Sequence, residues 1–138
     1  MRAIKQVNEK AIIKTITRLA AADNNIAVAW LHGSRAKGCA RPNSDFDLAV
    51  AFNAFPSDPQ EERLQPELLS QDWADALGLA DEYISVVDIN HIPIQLAMSI
   101  IEFGQPIQVN NETRLIREEN RITSMWELDH QYHREHYG

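Results

Sequence analysis

The chain has 138 residues, 44% of them apolar and 24% charged, with 13 Lys and Arg against 20 Asp and Glu for a net charge of −7. That is globular composition at the size of one domain, so it excludes a disordered chain and predicts a single domain over 1–138. The acidic balance argues against an extended nucleic-acid surface, and the lone Cys39 excludes an intrachain disulfide and paired-cysteine zinc modules.

From 4 to 22 the apolar positions Ile4, Val7, Ile12, Ile16, Leu19 and Ala20 recur at helical spacing, and Asp23-Asn24-Asn25 stops them. The stretch 26–31 is short, apolar and uninterrupted, as in a strand covered on both faces. It is also the longest apolar run, too short to cross a bilayer. The opening Met1-Arg2-Ala3-Ile4-Lys5-Gln6 lacks the apolar core of a signal peptide, so the expected location is the cytoplasm. His32-Gly33-Ser34 is a sharp turn, 35–38 fits one helical turn, and 41–44 reads as loop. In the second strand, 45–52, Phe46, Leu48, Val50 and Phe52 alternate with Asp45, Asp47, Ala49 and Ala51. One face meets a core, while two carboxylates open the other.

The segment 55–65, polar and holding two prolines, reads as an exposed loop. Leu68, Leu69, Trp73, Ala76 and Leu77 then give a helix ending at Gly78. A third strand is expected over 83–89, a helix from Pro93 to near Gly104, a short edge strand over 107–109, and a last helix over 112–135 within a C-terminal helix and tail, 112–138. Trp30, Trp73 and Trp126 fit core positions. Glu61-Glu62 and Glu118-Glu119 read as solvated faces that can also meet a basic partner. The order of elements predicts a small α/β (α+β) fold, a mixed sheet flanked by helices.

Chemistry concentrates in Gly33-Ser34, ten intervening residues, then Asp45-Phe46-Asp47. A turn between a buried strand and a helix start leaves backbone N–H groups that can hold phosphate oxygens. Gly33 lets a phosphate approach, Ser34 adds a hydroxyl donor, and Arg35 and Lys37 bring positive charge. Asp45 and Asp47, two apart on a strand, have Cα atoms roughly 6–7 Å apart on one face. Such a pair suits Mg²⁺, which takes one or two carboxylates and completes its shell with water and substrate phosphate. Phosphate turn and magnesium pair together make the minimum equipment for phosphoryl or nucleotidyl transfer. The tail histidines His130, His133 and His136 share roughly one helical face, but a solvated helix end explains them. Cys39 has no base partner to make it a nucleophile.

Gly-Ser-x10-Asp-x-Asp between two strands resembles the nucleotidyltransferase superfamily of DNA polymerase β. The short chain, with Leu31-His32-Gly33-Ser34-Arg35-Ala36-Lys37-Gly38 and Ser44-Asp45-Phe46-Asp47-Leu48-Ala49-Val50, is similar to its minimal members, the MNT antitoxins. The resemblance is strong over 26–52 and looser over 84–107. It implies a minimal nucleotidyltransferase fold, ATP as substrate with Mg²⁺, and a HEPN-domain ribonuclease toxin as partner, silenced by transfer of AMP onto a tyrosine. It also implies catalytic roles for Ser34, Asp45 and Asp47, with Gly33, Ser34, Arg35 and Lys37 on the nucleotide. A binding-only antitoxin with a vestigial site and an aminoglycoside-type small-molecule enzyme are the alternatives. The superfamily's usual third carboxylate falls at Ser85. Either a bulge turns Asp88 inward, or Asp81 reaches in, or two carboxylates suffice. His32 replaces a commoner aromatic.

Overall fold

The computed structural model describes residues 9–137, with side chains through Glu135. Helix α1 (Glu9–Ala22) leads into β1 (Ile26–His32), the one-turn helix α2 (Ser34–Lys37) and β2 (Phe46–Phe52). Helix α3 (Pro59–Leu77) and a 3-10 turn (Asp81–Tyr83) precede β3 (Ile84–Asp88). Then come α4 (Ile94–Phe103), β4 (Gln105–Val109) and α5 (Glu112–Tyr137). The strands form one mixed sheet in the order β3-β2-β1-β4. β1 lies antiparallel to both β2 and β4, and β3 is parallel to β2. This is the mixed α+β sheet expected from the sequence. Ile4 and Val7 of the predicted first helix lie outside the described residues.

Both faces of the sheet are covered. On one, Phe46, Leu48, Val50 and Phe52 of β2 meet Ile12, Ile16 and Ala20 of α1 and Leu69, Trp73 and Ala74 of α3. Full burial of a side chain such as Phe46 contributes roughly 1.5–3 kcal/mol. On the other face Trp30, Ala49 and Ala51 lie beneath Ala97 and Ile100 of α4 and Ile122 of α5. The open face expected for β2 is therefore open only at its start. Ala49 and Ala51 are small because helices and Trp30 press on them.

Three elements differ from expectation. Residues 59–65 are helical rather than loop. Asp58 caps α3, accepting a hydrogen bond from the Gln60 N–H, and Pro59 takes the first helical position, where no N–H is needed. Pro66 sits inside the same helix. Glu118 is not on a solvated face but is 3% exposed. Trp126 is only partly buried, stacked on His130 with ring centroids 5.1 Å apart, because α5 continues past the sheet that its first half covers.

Candidate active site

The strand pairing brings the motif together. His32, last in β1, lies opposite Asp47 in β2, and Asp47 is in turn level with Ser85 on β3. The chain leaves β1 at Gly33 with φ 73° and ψ −156°, a region that is essentially glycine-only. A Cβ at this position would stand 2.3 Å from Oδ2 of Asp47. The carboxylate thus rests against the bare backbone of the turn. Helix α2 begins one residue later, with the Ala36 and Lys37 N–H groups both donating to the Gly33 carbonyl at 3.2 Å. Ser34 occupies the first turn, whose leading N–H groups are the ones a helix cannot pair.

Arg35, expected to bring positive charge to the phosphate turn, is buried. It is 8% exposed and its guanidinium lies 4.0 Å over the Phe46 ring. It donates to the carbonyl of Ser44 at 2.7 Å and to Pro42 at 3.3 Å, and pairs with Glu9. The ten residues between Ser34 and Asp45 are thereby folded back on α2, which fixes the reach from turn to carboxylates. Lys37 is exposed, its Nζ 5.7 Å from the centroid of the Phe103 ring. Of the two cations, Lys37 is the one whose charge faces solvent beside the turn.

Asp45 is exposed just before β2, and Asp47 is half-buried. Burial, and then the charge of Asp45, push the Asp47 carboxyl above its ordinary value, while the pull of His32 opposes them. Burial likewise holds His32 below its usual value, against the attraction of Asp47, and its buried Nε2 has no hydrogen-bond partner. Among the described residues no lysine or arginine forms an ion pair with either aspartate. Two carboxylates repelling each other without a protein cation between them suit a divalent ion, which turns that repulsion into attraction. Asp45 and Asp47 would hold it; no cluster of three or more His, Cys, Asp or Glu able to bind a metal exists among the described residues.

The three options for a third carboxylate separate cleanly. β2 and β3 stay in regular register from Phe46 beside Ile84 to Val50 beside Asp88, so no bulge turns Asp88 toward Asp47. Asp88 is buried on the other face, its Oδ1 accepting from the Asn90 N–H at 2.9 Å and its Oδ2 2.8 Å from Nδ1 of His91. Ser85 takes the place level with Asp47. Asp81 is exposed, and with Asp45 and Ser85 it borders a cavity of about 510 Å³ between α3 and β3. The α3 wall of this cavity is Arg63, Pro66, Glu67, Ser70 and Gln71, and of these Arg63 lies in the stretch 55–65 expected to be loop. The signal that finds the helix there is Asp58-Pro59 followed by Glu61-Glu62, a cap, a first-turn proline and first-turn acids. In the tail, His130 stacks on Trp126 and His133 lies 3.9 Å from Asp129, while the His136 side chain lies outside the described residues.

Residues 14–113 match the family model described as polymerase beta, nucleotidyltransferase. No curated protein matches the chain in sequence. Solved structures are similar in fold. A chain from a toxin–antitoxin complex with AMP-PNP superposes with a TM-score of 0.68 at 19% identity, over 92% of this chain and 94% of that one. A chain from the toxin–antitoxin MntA-HepT gives 0.66 at 16%, over 92% and 94%. A third comes from the tri-AMPylated Shewanella oneidensis HEPN toxin in complex with its MNT antitoxin, at 0.61 and 20%, over 95% and 93%.

Proposed function

The chain belongs to the polymerase beta nucleotidyltransferase family, and from that premise we propose that it is an antitoxin that transfers AMP from ATP to a tyrosine of a cognate HEPN ribonuclease toxin. The observation that carries the reading is the contact of turn and carboxylate, with Asp47 Oδ2 2.3 Å from where a Cβ of Gly33 would stand. A triphosphate held by the turn then lies against the aspartates. The likeness to a complex holding AMP-PNP and to one with an AMPylated toxin supports the nucleotide and the acceptor.

In this scheme the N–H groups of the Gly33–Ser34 turn and the Ser34 hydroxyl bind phosphate oxygens, and Lys37 adds positive charge beside them. Asp45 and Asp47 would hold Mg²⁺, which when bound would draw negative charge from the triphosphate. Arg35 keeps the turn and the aspartates at a fixed separation. The phenolic oxygen of the acceptor attacks the α-phosphorus in line, the bond to the bridging oxygen of the β-phosphate breaks, and pyrophosphate leaves. The phenolic proton passes to water. Ser85 cannot serve as a base, but a phenol with pKa near 10 ionises far more readily than an alcohol and needs less help.

The test is incubation with α-labelled ATP, Mg²⁺ and the toxin encoded beside it. Label on a toxin tyrosine, absent with Asp45→Asn, is the expected result. Ser85 in the third-carboxylate place is the observation that favours a binding-only antitoxin instead. That reading requires inhibition of the toxin without label, undiminished by Asp45→Asn.

A further inference from the structure

We propose that the trough between α3 and the edge strand β3 seats the acceptor segment as an extended, basic stretch of the partner, anchored by its tyrosine and by an apolar side chain three or four residues away. This rests on the transfer reading above and names where and how the acceptor binds.

β3 is an edge strand, yet no further strand can simply add to it. Helix α3 lies along that edge, and the Ser70 hydroxyl accepts the Val86 N–H at 2.9 Å while donating to the Pro66 carbonyl at 3.2 Å. Pro66 has no N–H to give the preceding turn, so α3 lacks one helical hydrogen bond where it passes β3. On either side of this crossing point a cavity opens. The first, about 510 Å³, reaches Asp45 and Ser85. The second, about 480 Å³, lies against Val87, Asp88, His91 and Ile92. Both are bordered by Arg63, Pro66 and Val86, so they are two halves of one trough. Each has the volume of a site that encloses a sizeable ligand group, roughly 300–1,000 Å³.

The halves differ in chemistry. The first offers apolar walls for a ring in Pro66, Ile84 and Val86, and leads to Asp45, with Ser85 level with Asp47, where the hydroxyl must arrive. The second is mainly apolar, with the His91 ring braced by buried Asp88 at 2.8 Å and by the edge of Phe55 at 5.4 Å between centroids. Ser85 and Asp88 are three residues apart, or roughly 10 Å along a strand. An extended segment spans that distance in three or four residues. The charge along the trough sets the character of the segment. Asp45, Glu62, Glu67, Asp81 and Glu82 border it, Asp88 is buried against His91, which also faces Glu62 at 3.7 Å, and Arg63 is the one arginine or lysine among them. A basic stretch is complementary to such a rim and a neutral or acidic one is not.

The experiment uses the full chain and fluorescent peptides carrying a tyrosine and a leucine three positions apart between lysines. Binding is read by anisotropy and AMP transfer by label, each independently. The Glu67→Lys/Glu82→Lys chain is expected to bind the peptide at least tenfold more weakly, with KM raised and kcat and ATP affinity unchanged. Replacing the leucine by alanine, or the lysines by glutamates, weakens binding likewise. Peptide binding that is absent from the unaltered chain, or equal in the double variant, overturns the trough. Intact, charge-dependent peptide binding with no transfer to peptide or toxin sinks the transfer reading and leaves the trough standing. A circular dichroism spectrum and Tm matching the unaltered chain show that the variant folds.

Discussion

The two ends of the sheet treat a withdrawn carboxylate in opposite ways. At the end where β2 and β3 finish, Glu118 of α5 accepts hydrogen bonds from Arg114 Nε at 2.8 Å, Arg121 Nε at 2.9 Å and Asn90 Nδ2 at 3.0 Å. Arg114 also donates to the Phe52 carbonyl and Arg121 to that of Ile89, so the cluster ties α5 to both strands. Burial pushes the Glu118 carboxyl up, but the hydrogen bonds of Arg114, Asn90 and Arg121 outweigh it and hold the group below its ordinary value. At the end where β2 starts, Asp47 is raised by burial and by Asp45, with no arginine to answer. A carboxylate whose partners are all internal stabilises the fold. One whose partner must come from outside costs stability and is available for chemistry.

The strongest way to break this comparison is to neutralise each carboxylate. Asp47→Asn is expected to lower AMP transfer by about 10²–10³-fold, the scale of losing a charge-stabilising group, while raising the metal-free Tm at neutral pH. The sign follows from a folded pKa above 3.8: the native state holds its proton longer, and ionised Asp47 is unfavourable above that window. Glu118→Ala is expected to do the reverse, costing roughly 3 kcal/mol in denaturant unfolding because Arg114 and Arg121 lose their acceptor, with ATP affinity per folded molecule unchanged. A Glu118→Ala chain that unfolds like its parent contradicts the structural role.

Next comes the turn. Gly33→Ala adds a methyl 2.3 Å from Asp47 Oδ2 at a backbone geometry other residues avoid. About 1–3 kcal/mol of stability is expected to go, with nucleotide affinity at least tenfold weaker by calorimetric titration. Gly38→Ala is the control. It is also at positive φ, but a Cβ there meets nothing within 4 Å, so it strains the backbone and leaves the aspartates in place.

How far the sequence reaches can be seen in the same residues. Gly33, Ser34, Asp45 and Asp47 stood out because a strand's two-residue period and a turn's glycine are local facts, and the strand pairing only had to bring them level. The parity of Ser85 and Asp88 was equally legible, since three steps along a strand reverse the face. Arg35 was not, because its partners Pro42 and Ser44 are reached only when the loop folds back over Phe46. Glu118 was misread for a related reason. Arg114 and Arg121 stand at helical spacing from it, but Asn90 and the strand ends that bury the cluster come from elsewhere in the chain. The start of α3 was lost to Pro56 and Pro59, which read as loop signals although a proline fits the first position of a helix.

The smallest expected effect is also the one that separates the two carboxylates most directly, because their contributions to stability change with pH in opposite senses. Glu118, held below 4.5, supplies stability that is full above 4.5 and disappears as pH falls through its folded value. Asp47, raised above 3.8, costs stability at neutral pH, and that cost disappears as pH falls through its folded value toward 3.8. Urea unfolding of the metal-free chain beside Asp47→Asn is therefore expected to give curves that converge as pH falls through the raised folded value toward 3.8. Beside Glu118→Gln the gap is full above 4.5 and closes only as pH falls through the lowered folded value. Saturating Mg²⁺ with ATP at neutral pH narrows the first gap without acid, since the ion supplies the missing charge, and leaves the second untouched. Parallel curves for Asp47→Asn at every pH, indifferent to Mg²⁺, mean that Asp47 carries no unanswered charge, and the contrast between the two ends fails.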